Sequence, residues 1–458
     1  MSISTDAVDF PQNQIQKNTL LRLSKAFLSS RGVLLNPHVS PEALKEEPWI
    51  AEASTVAPVS LTPALFKRTC FEKALQVHPA MSVLYHKLSL DNEFIHSVIS
   101  TIVDSDPFTS RLYQIFKETE HQPDRQTISL EINRSDYLMH VTPDDDIQTK
   151  QVEFNAISVS FNISLDNLPP NNSLTSFADG LACAFKAYGN KDAVVLSVGQ
   201  KEERNVYDQQ WIELMLWERS LDQIMDNGSL VLIDGHQTLV VDGFNVAVAY
   251  FRSSYTPVDF PTEKEWEARL MIEKSFAIKC PTIAFQLVGT KKVQQVLSNP
   301  GVVEKYIDDP KSVDQIRSCF IGLYPLDQSA EGIKAYEDAM SNPDHYALKP
   351  QREGGGFNTY GKDIPVLLNS MDTEERKAYI LMELINSPIS SSLFLRNGAI
   401  EKVNSISELG VYGVLLADGE KILYNQTGGH LLRSKSQGTN EGGVASGFAV
   451  LDSPCLID

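Results

Sequence analysis

The spacing of apolar residues changes along this chain, and that change limits the fold more than any single motif does. Up to about residue 120 apolar side chains recur every three or four positions, as in LLRLSKAFLSS (20–30) and MSVLYHKLSLDNEFIHSVISTIV (81–103), which predicts helices. From about residue 127 the period becomes two, and ISLEINRSDYLM and KQVEFNAISVSF read as strands. AVVLSVG (193–199) is a short, continuously apolar strand; helical spacing over 206–225 follows, then SLVLIDG and VAVAYFR return as strands. Alternation of this kind predicts a small parallel sheet with covering helices. The last third reads as strand, Gly-rich loop and strand in YALKPQREGGGFNTYG (346–361), an apolar strand in AYILMELI (378–385), and two antiparallel strands in ISELGVYGVLLADG (406–419) and ILYNQTGGHLLRSK (422–435). The chain is therefore of the α/β (α+β) class. At 458 residues it is long enough for two or three domains. The expected division is 1–189 for a helical N-terminal region and the first part of a core, 190–289 for an α/β domain, and 290–458 for a domain carrying Gly-rich loops.

The formal net charge of −19 bears on partners. Such a surface repels phosphate backbones, so nucleic acid is not an expected partner, and an anionic substrate needs a local concentration of Arg and Lys. Short basic clusters of this kind occur at Asn133-Arg134-Ser135, Glu203-Arg204-Asn205, Arg252-Ser253-Ser254-Tyr255, Thr290-Lys291-Lys292 and Arg433-Ser434-Lys435. Several follow apolar strands, where α/β folds place ligands. The opening MSISTDAVDFPQNQIQK has no basic start followed by an apolar run, and no stretch approaches the roughly 18 apolar residues of a membrane span. Cys70, Cys183, Cys280, Cys319 and Cys455 are scattered without a C-x-x-C pair, as in a protein with reduced thiols. A cytoplasmic protein with no membrane association is expected.

Two motifs point to chemistry. In KPQREGGGFNTYG, three consecutive glycines leave backbone N–H groups uncovered and permit close approach of a ligand. Lys349 precedes them and can place a point charge on a phosphate, with Arg352 and Glu353 alongside. The order of residues is neither that of a Walker loop nor that of a dinucleotide fingerprint. In QVEFNAISVS, strand alternation puts Glu153 and Asn155 on one face. With Glu353 they offer the hard oxygens that Mg²⁺ takes beside substrate phosphates. Alone, the pair better suits a solvated strand face, and the metal reading depends on the whole set.

LKPQREGGG, QLVGTKKVQQ, WEARL, YILMELI, ISELGVYG, and LLRSK followed by EGGVASG resemble the eukaryotic glutathione synthetase family in order and spacing, from about Cys70 to the end of the chain. The resemblance implies an ATP-grasp fold in which 190–289 is an inserted substrate domain and 290–458 carries the Gly-rich lid loops. It implies a homodimer that uses ATP and Mg²⁺ to join glycine to γ-glutamylcysteine through an acyl phosphate. On that pattern Glu153, Asn155 and Glu353 correspond to metal ligands. The ATP contacts correspond to Glu153, Lys291, Lys349, Arg352, Glu353, Gly354, Gly355, Gly356, Asn358, Tyr360, Met382, Glu383, Leu384, Ile385, Glu408, Lys435 and Glu441. Arg134, Ile157, Ser158, Ser160, Glu203, Arg204, Asn205, Gln209, Arg252, Ser253, Ser254 and Tyr255 fall where the family binds γ-glutamylcysteine. Arg433, Val444 and Ala445 fall at the glycine end. Arg134, Lys349 and Arg433 are the implied catalytic groups.

The sequence departs from the family pattern in three places. The segment between Ser160 and Glu203 is short and lacks a Gly-Gly, which bears on dimer packing and pocket shape. Phe357 stands where Asn is usual in the first lid, and Ser446 where Ala is usual in the second. Two alternatives remain: the same ligation with alanine or serine as acceptor, and a non-catalytic relative that binds nucleotide.

Overall fold

Strand Ile128–Val141 organises the architecture, because both of its faces and both of its edges are used. The computed structural model describes residues 11, 13–37, 53–123, 125–159, 168–200, 203–219, 221, 224–226, 230–233, 237–351, 356–440 and 442–458. On one face of this strand, Tyr137 and Met139 pack into a core with Ala74, Val77, Met81 and Tyr85 of helix Arg68–Leu90. Further back on that face Glu131 is buried against His86 of the same helix, with 2.6 Å between Oε1 and Nδ1. On the other face, Leu130 and Ile132 pack with Phe177 and Leu181 of helix Ser173–Tyr188. The next two residues on that face are Arg134 and Asp136. The change from Ile132 to Arg134 marks where the core ends and a cavity begins.

Along one edge the strand pairs antiparallel with Ala399–Asp418, which forms the expected hairpin with Lys421–Ser436. Along the other it pairs antiparallel with Ile147–Asn155 and parallel with Ile278–Cys280. The parallel strands expected within 190–289 are present: Val194–Val198 lies parallel to Phe244–Phe251, which lies parallel to Ile278–Cys280. Through Ile278–Cys280 they continue into the same 13-stranded sheet. A second, four-stranded antiparallel sheet runs in the order Leu323–Pro325, Tyr379–Glu383, Tyr346–Pro350, Thr359–Tyr360. The cavity is lined by residues of both sheets.

Three local expectations change. The helix expected over 81–103 belongs to two, Arg68–Leu90 and Asn92–Ile99. Asp91 separates them, its carboxylate accepting the Phe94 N–H at 2.9 Å, so a new helix starts where the apolar spacing alone shows no break. The helix expected over 206–225 stops at Trp217, and Ile224–Asp226 is a strand parallel to Val194–Val198. The strand carrying Glu153 ends at Asn155, and Ser158 takes a left-handed φ of 56°. Ile157 and Val159 consequently enter different cores. Among the described residues no helix is long and apolar enough to cross a membrane.

Candidate active site

A cavity of about 810 Å³ collects side chains from the sheet floor, the parallel strands, the four-stranded sheet and the second Gly-rich segment. Its floor is set by strand register. Asp136 lies opposite Glu153, Arg134 opposite Asn155, and Glu408 opposite Arg433. Arg134 donates to Asp136 through Nε at 2.6 Å and Nη2 at 2.8 Å. Arg433 donates from Nη2 to Asp136 at 3.0 Å and to Glu408 through Nε, also at 3.0 Å. Burial, the largest influence, works against both guanidinium charges. The carboxylates override it and hold both above the ordinary arginine range, Asp136 chiefly for Arg134, and Glu408 then Asp136 for Arg433.

Glu153 accepts from Lys291 Nζ at 2.8 Å. Burial alone would raise its pKa, but the charges of Lys291 and Lys349 hold it well below the carboxylate range, so it stays ionised. Lys349 is buried, with Nζ donating to the Val152 carbonyl at 3.0 Å, and desolvation lowers its pKa to about 8 against the pull of Glu153. Asn155 donates Nδ2 to the Arg134 carbonyl at 3.2 Å and to Asp136 at 3.0 Å. That bonding fixes the amide so that its oxygen is left for another group. An ionised carboxylate and an oriented amide oxygen, both lining the cavity, fit a hard divalent cation that also binds substrate phosphates and water. Among the described residues no group of three His, Cys, Asp or Glu is arranged for a metal.

At the end formed by the parallel strands, buried Arg252 donates to the Val159 carbonyl at 2.6 Å and pairs with Asp208 at 3.1 Å. Glu203 accepts from the Asn205 N–H at 2.8 Å and from Gln209 at 3.1 Å. Burial, then Asp259 and Glu203, push the Tyr255 hydroxyl up to about 12, so it is a hydrogen-bonding group at neutral pH. At the opposite end, Ala347, Met382, Leu384 and Ile385 form an apolar wall with Asn358 and Tyr360. Tyr324 donates its hydroxyl to Glu383 at 2.6 Å. In the second Gly-rich segment Val444 is buried, and Ser446 Oγ donates back to the Gly443 carbonyl at 3.1 Å.

The cavity thus brings together Arg134, Glu153, Asn155, Ile157, Ser158, Glu203, Asn205, Arg252, Tyr255, Lys349, Asn358, Tyr360, Met382, Glu383, Leu384, Ile385, Glu408, Arg433, Lys435, Val444 and Ala445. Lys291 stands behind Glu153, and Gln209 behind Glu203. Arg204 bonds the Asn36 carbonyl at 3.1 Å, and Ser253 the Val198 carbonyl at 3.0 Å. The Ser254 carbonyl receives Gln286, and Gly356 and Phe357 are exposed. None of Arg204, Ser253, Ser254, Gly356 and Phe357 lines the cavity. Ser160, Arg352, Glu353, Gly354, Gly355 and Glu441 lie outside the described residues. Sequence reasoning missed Asp136 and Asp208, which hold the arginines, and Leu138, Asp344, Lys362 and Ile406 of the lining. Asp136 had a local signal: it is two residues from Arg134 on a strand, hence on the same face.

Comparison with known proteins adds independent findings. The family model described as eukaryotic glutathione synthase, ATP binding domain, matches residues 14–165 and 162–456. The glutathione synthetase of Xenopus laevis is 39% identical, covering 90% of this chain and 93% of that protein. The human glutathione synthetase is 37% identical over 97% of this chain and 98% of its own length. The chloroplastic glutathione synthetase of Solanum lycopersicum is 40% identical, covering 88% and 78%. A solved structure of a glutathione synthetase-like effector from Globodera pallida in its apo form superposes with a TM-score of 0.76 over 100% of both chains, at 24% identity, a likeness of fold.

Proposed function

The chain belongs to the eukaryotic glutathione synthase family, and from that premise we propose how its site works. The fold is of the ATP-grasp type, and the protein is an ATP-dependent carbon–nitrogen ligase that forms glutathione. In our reading it joins glycine to the cysteinyl carboxylate of γ-glutamylcysteine, with ATP supplying the activating phosphoryl group. The observation that carries the reading is the cavity's polar lining, where buried Arg134 and half-buried Glu153 and Arg433 of the floor face buried Lys349 of the four-stranded sheet.

The carboxylate of γ-glutamylcysteine attacks the γ-phosphorus of ATP, ADP leaves, and an acyl phosphate forms. The amine of glycine then attacks the acyl carbon, and phosphate leaves from the tetrahedral intermediate with the amine proton lost. The protein's work is to align the reactants and offset charge. Lys349 and Arg134 meet the anionic oxygens, and Arg433 donates to the tetrahedral oxyanion. Arg252, Tyr255, Ser158, Glu203 and Asn205 hold the γ-glutamylcysteine end. Met382–Ile385 hold adenine, and Val444 and Ala445 border glycine. Glu153 and Asn155, with Glu353 from sequence, would hold Mg²⁺, which neutralises polyphosphate charge when bound. The Gly-rich segments around 354–356 and 442–443 exclude water from the acyl phosphate. In this reading 1–189 supplies the floor strands that carry Arg134, Asp136 and Glu153, 190–289 the γ-glutamylcysteine end, and 290–458 the floor strands with Glu408 and Arg433 together with the nucleotide wall and loops.

We also propose a cytoplasmic homodimer. All five cysteines are free, as suits a reducing compartment. Leu23 and Phe27 of helix Gln14–Ser30 and Trp211, Leu214 and Trp217 of helix Val206–Trp217 are exposed apolar residues that a second copy can cover. The decisive experiment measures ADP release and peptide product with γ-glutamylcysteine, Mg²⁺ and each of glycine, alanine and serine. Glycine-dependent glutathione formation is expected. Equal use of glycine and alanine would sink the glycine assignment. Because Ser446 Oγ is turned onto the Gly443 carbonyl, Ser446→Ala is expected to leave the preference between glycine and serine unchanged.

A further inference from the structure

Two arginines with separate tasks converge on one carboxylate. Asp136 is fully buried and accepts Arg134 on both oxygens and Arg433 on Oδ2. We propose that Asp136 is a positioning residue that sets the distance and orientation between the guanidinium serving γ-glutamylcysteine and the one serving glycine. This rests on the ligase reading above and adds to it a residue that acts through Arg134 and Arg433, while also accepting the Asn155 amide.

The geometry carries the assignment in two ways. First, a guanidinium has two edges suited to a two-point contact. Asp136 occupies the Nε–Nη2 edge of Arg134, which turns the Nη1–Nη2 edge toward a ligand carboxylate or phosphate. Arg433 uses Nε and Nη2 on Glu408 and Asp136, which directs Nη1 to a ligand in the same way. Second, the neighbouring strand makes room for the arrangement. Gly410 lies directly opposite Asp136 in the ladder. A Cβ at Gly410 would come 2.7 Å from Arg134 Cδ and 2.8 Å from Asp136 Oδ1. A glycine inside a strand weakens it and marks a close approach, here of these two side chains.

A purely electrostatic role makes the opposite prediction. Removing one negative charge from beneath two arginines would leave a more positive pocket and tighten the binding of anionic substrates. A positioning role predicts weaker binding of both substrates at once, because a small misplacement of reacting groups costs on the order of 10²-fold. The test is steady-state kinetics for Asp136→Asn, Asp136→Glu and Gly410→Ala, with melting temperatures. The expected result is a rise of about 10-fold or more in KM for γ-glutamylcysteine and for glycine in Asp136→Asn, with kcat/KM down on the order of 10²-fold. Asp136→Glu, which keeps the charge but changes the reach, is not expected to restore either KM. Gly410→Ala, which keeps every charge, should raise both in the same direction, and it carries the test should Asp136→Asn fail to fold. Unchanged or lowered KM values in a folded variant, or a change confined to one substrate, would overturn the proposal. A wild type that releases no ADP in response to glycine would overturn the ligase reading instead.

Discussion

The floor of the cavity and its nucleotide wall are built from different materials. On the floor, Arg134, Asp136, Asn155 and Glu408 are buried, Arg433 is half-buried, and the five are bonded to one another across strands that pair edge to edge. On the wall, Ala347 and Met382 are apolar neighbours across an antiparallel pair, followed by the exposed Leu384 and the half-buried Ile385. A buried charge that loses its partner is costly, so the floor depends on particular side chains. An apolar wall binds through shape and main chain, which similar side chains supply equally well. Function is therefore expected to be brittle on the floor and tolerant on the wall.

The strongest test of that contrast is Arg433→Ala. It removes an oxyanion donor and leaves Glu408 without its guanidinium, so kcat should fall by about 10²–10³-fold. Turnover near that of the wild type would break the contrast at its centre. Glu153→Gln deletes a hard anionic ligand while keeping the shape, and a Mg²⁺ requirement raised about 10–100-fold is expected from a titration of activity against metal. An unchanged midpoint would remove Glu153 from the metal face.

Asp452 sharpens the comparison from outside the floor. It is a half-buried residue whose carboxylate takes its hydrogen bonds from neutral groups, the Ser434 hydroxyl at 2.5 Å and the N–H groups of Ser453 at 2.7 Å and Ala64 at 3.2 Å. Burial raises its pKa from 3.8 to about 7. Between those values the folded protein binds more protons than the unfolded chain, so stability from this group is present below 3.8 and is lost as pH rises toward 7. Asp452→Asn should therefore show a smaller fall in Tm between about pH 4 and pH 7 than the wild type, by scanning calorimetry. Parallel profiles would show that Asp452 does not titrate in this range. On the wall, Met382→Leu conserves volume and main chain and should change the KM for ATP by no more than about 3-fold. A loss as large as that of Arg433→Ala would erase the difference between the two regions.

Much of the site was legible because strand alternation is a local property. Glu153 and Asn155 were assigned to one face from spacing alone, and both line the cavity. The antiparallel hairpin and the small parallel sheet followed from the change of period in the same way. The expectation failed where one residue outweighed the pattern. Asp91 caps a new helix within a continuous apolar spacing, and Ser158 turns the chain out of the strand with a positive φ. Arg204 and Ser253 belong to basic clusters in the sequence but bond main-chain carbonyls away from the cavity, which spacing does not reveal.

The sequence by itself determined the class of fold, the strands that carry the site and the faces on which Glu153, Asn155 and Arg134 project, since a period of two needs only neighbours. The tertiary structure alone decided that Arg433 meets Asp136, 297 residues earlier in the chain, and that Gly410 stands opposite that pair. Those contacts depend on which strands pair and in what register. Register is set by burial of whole faces and by distant turns, and shifting it by one residue would send each of these side chains to the other side of the sheet.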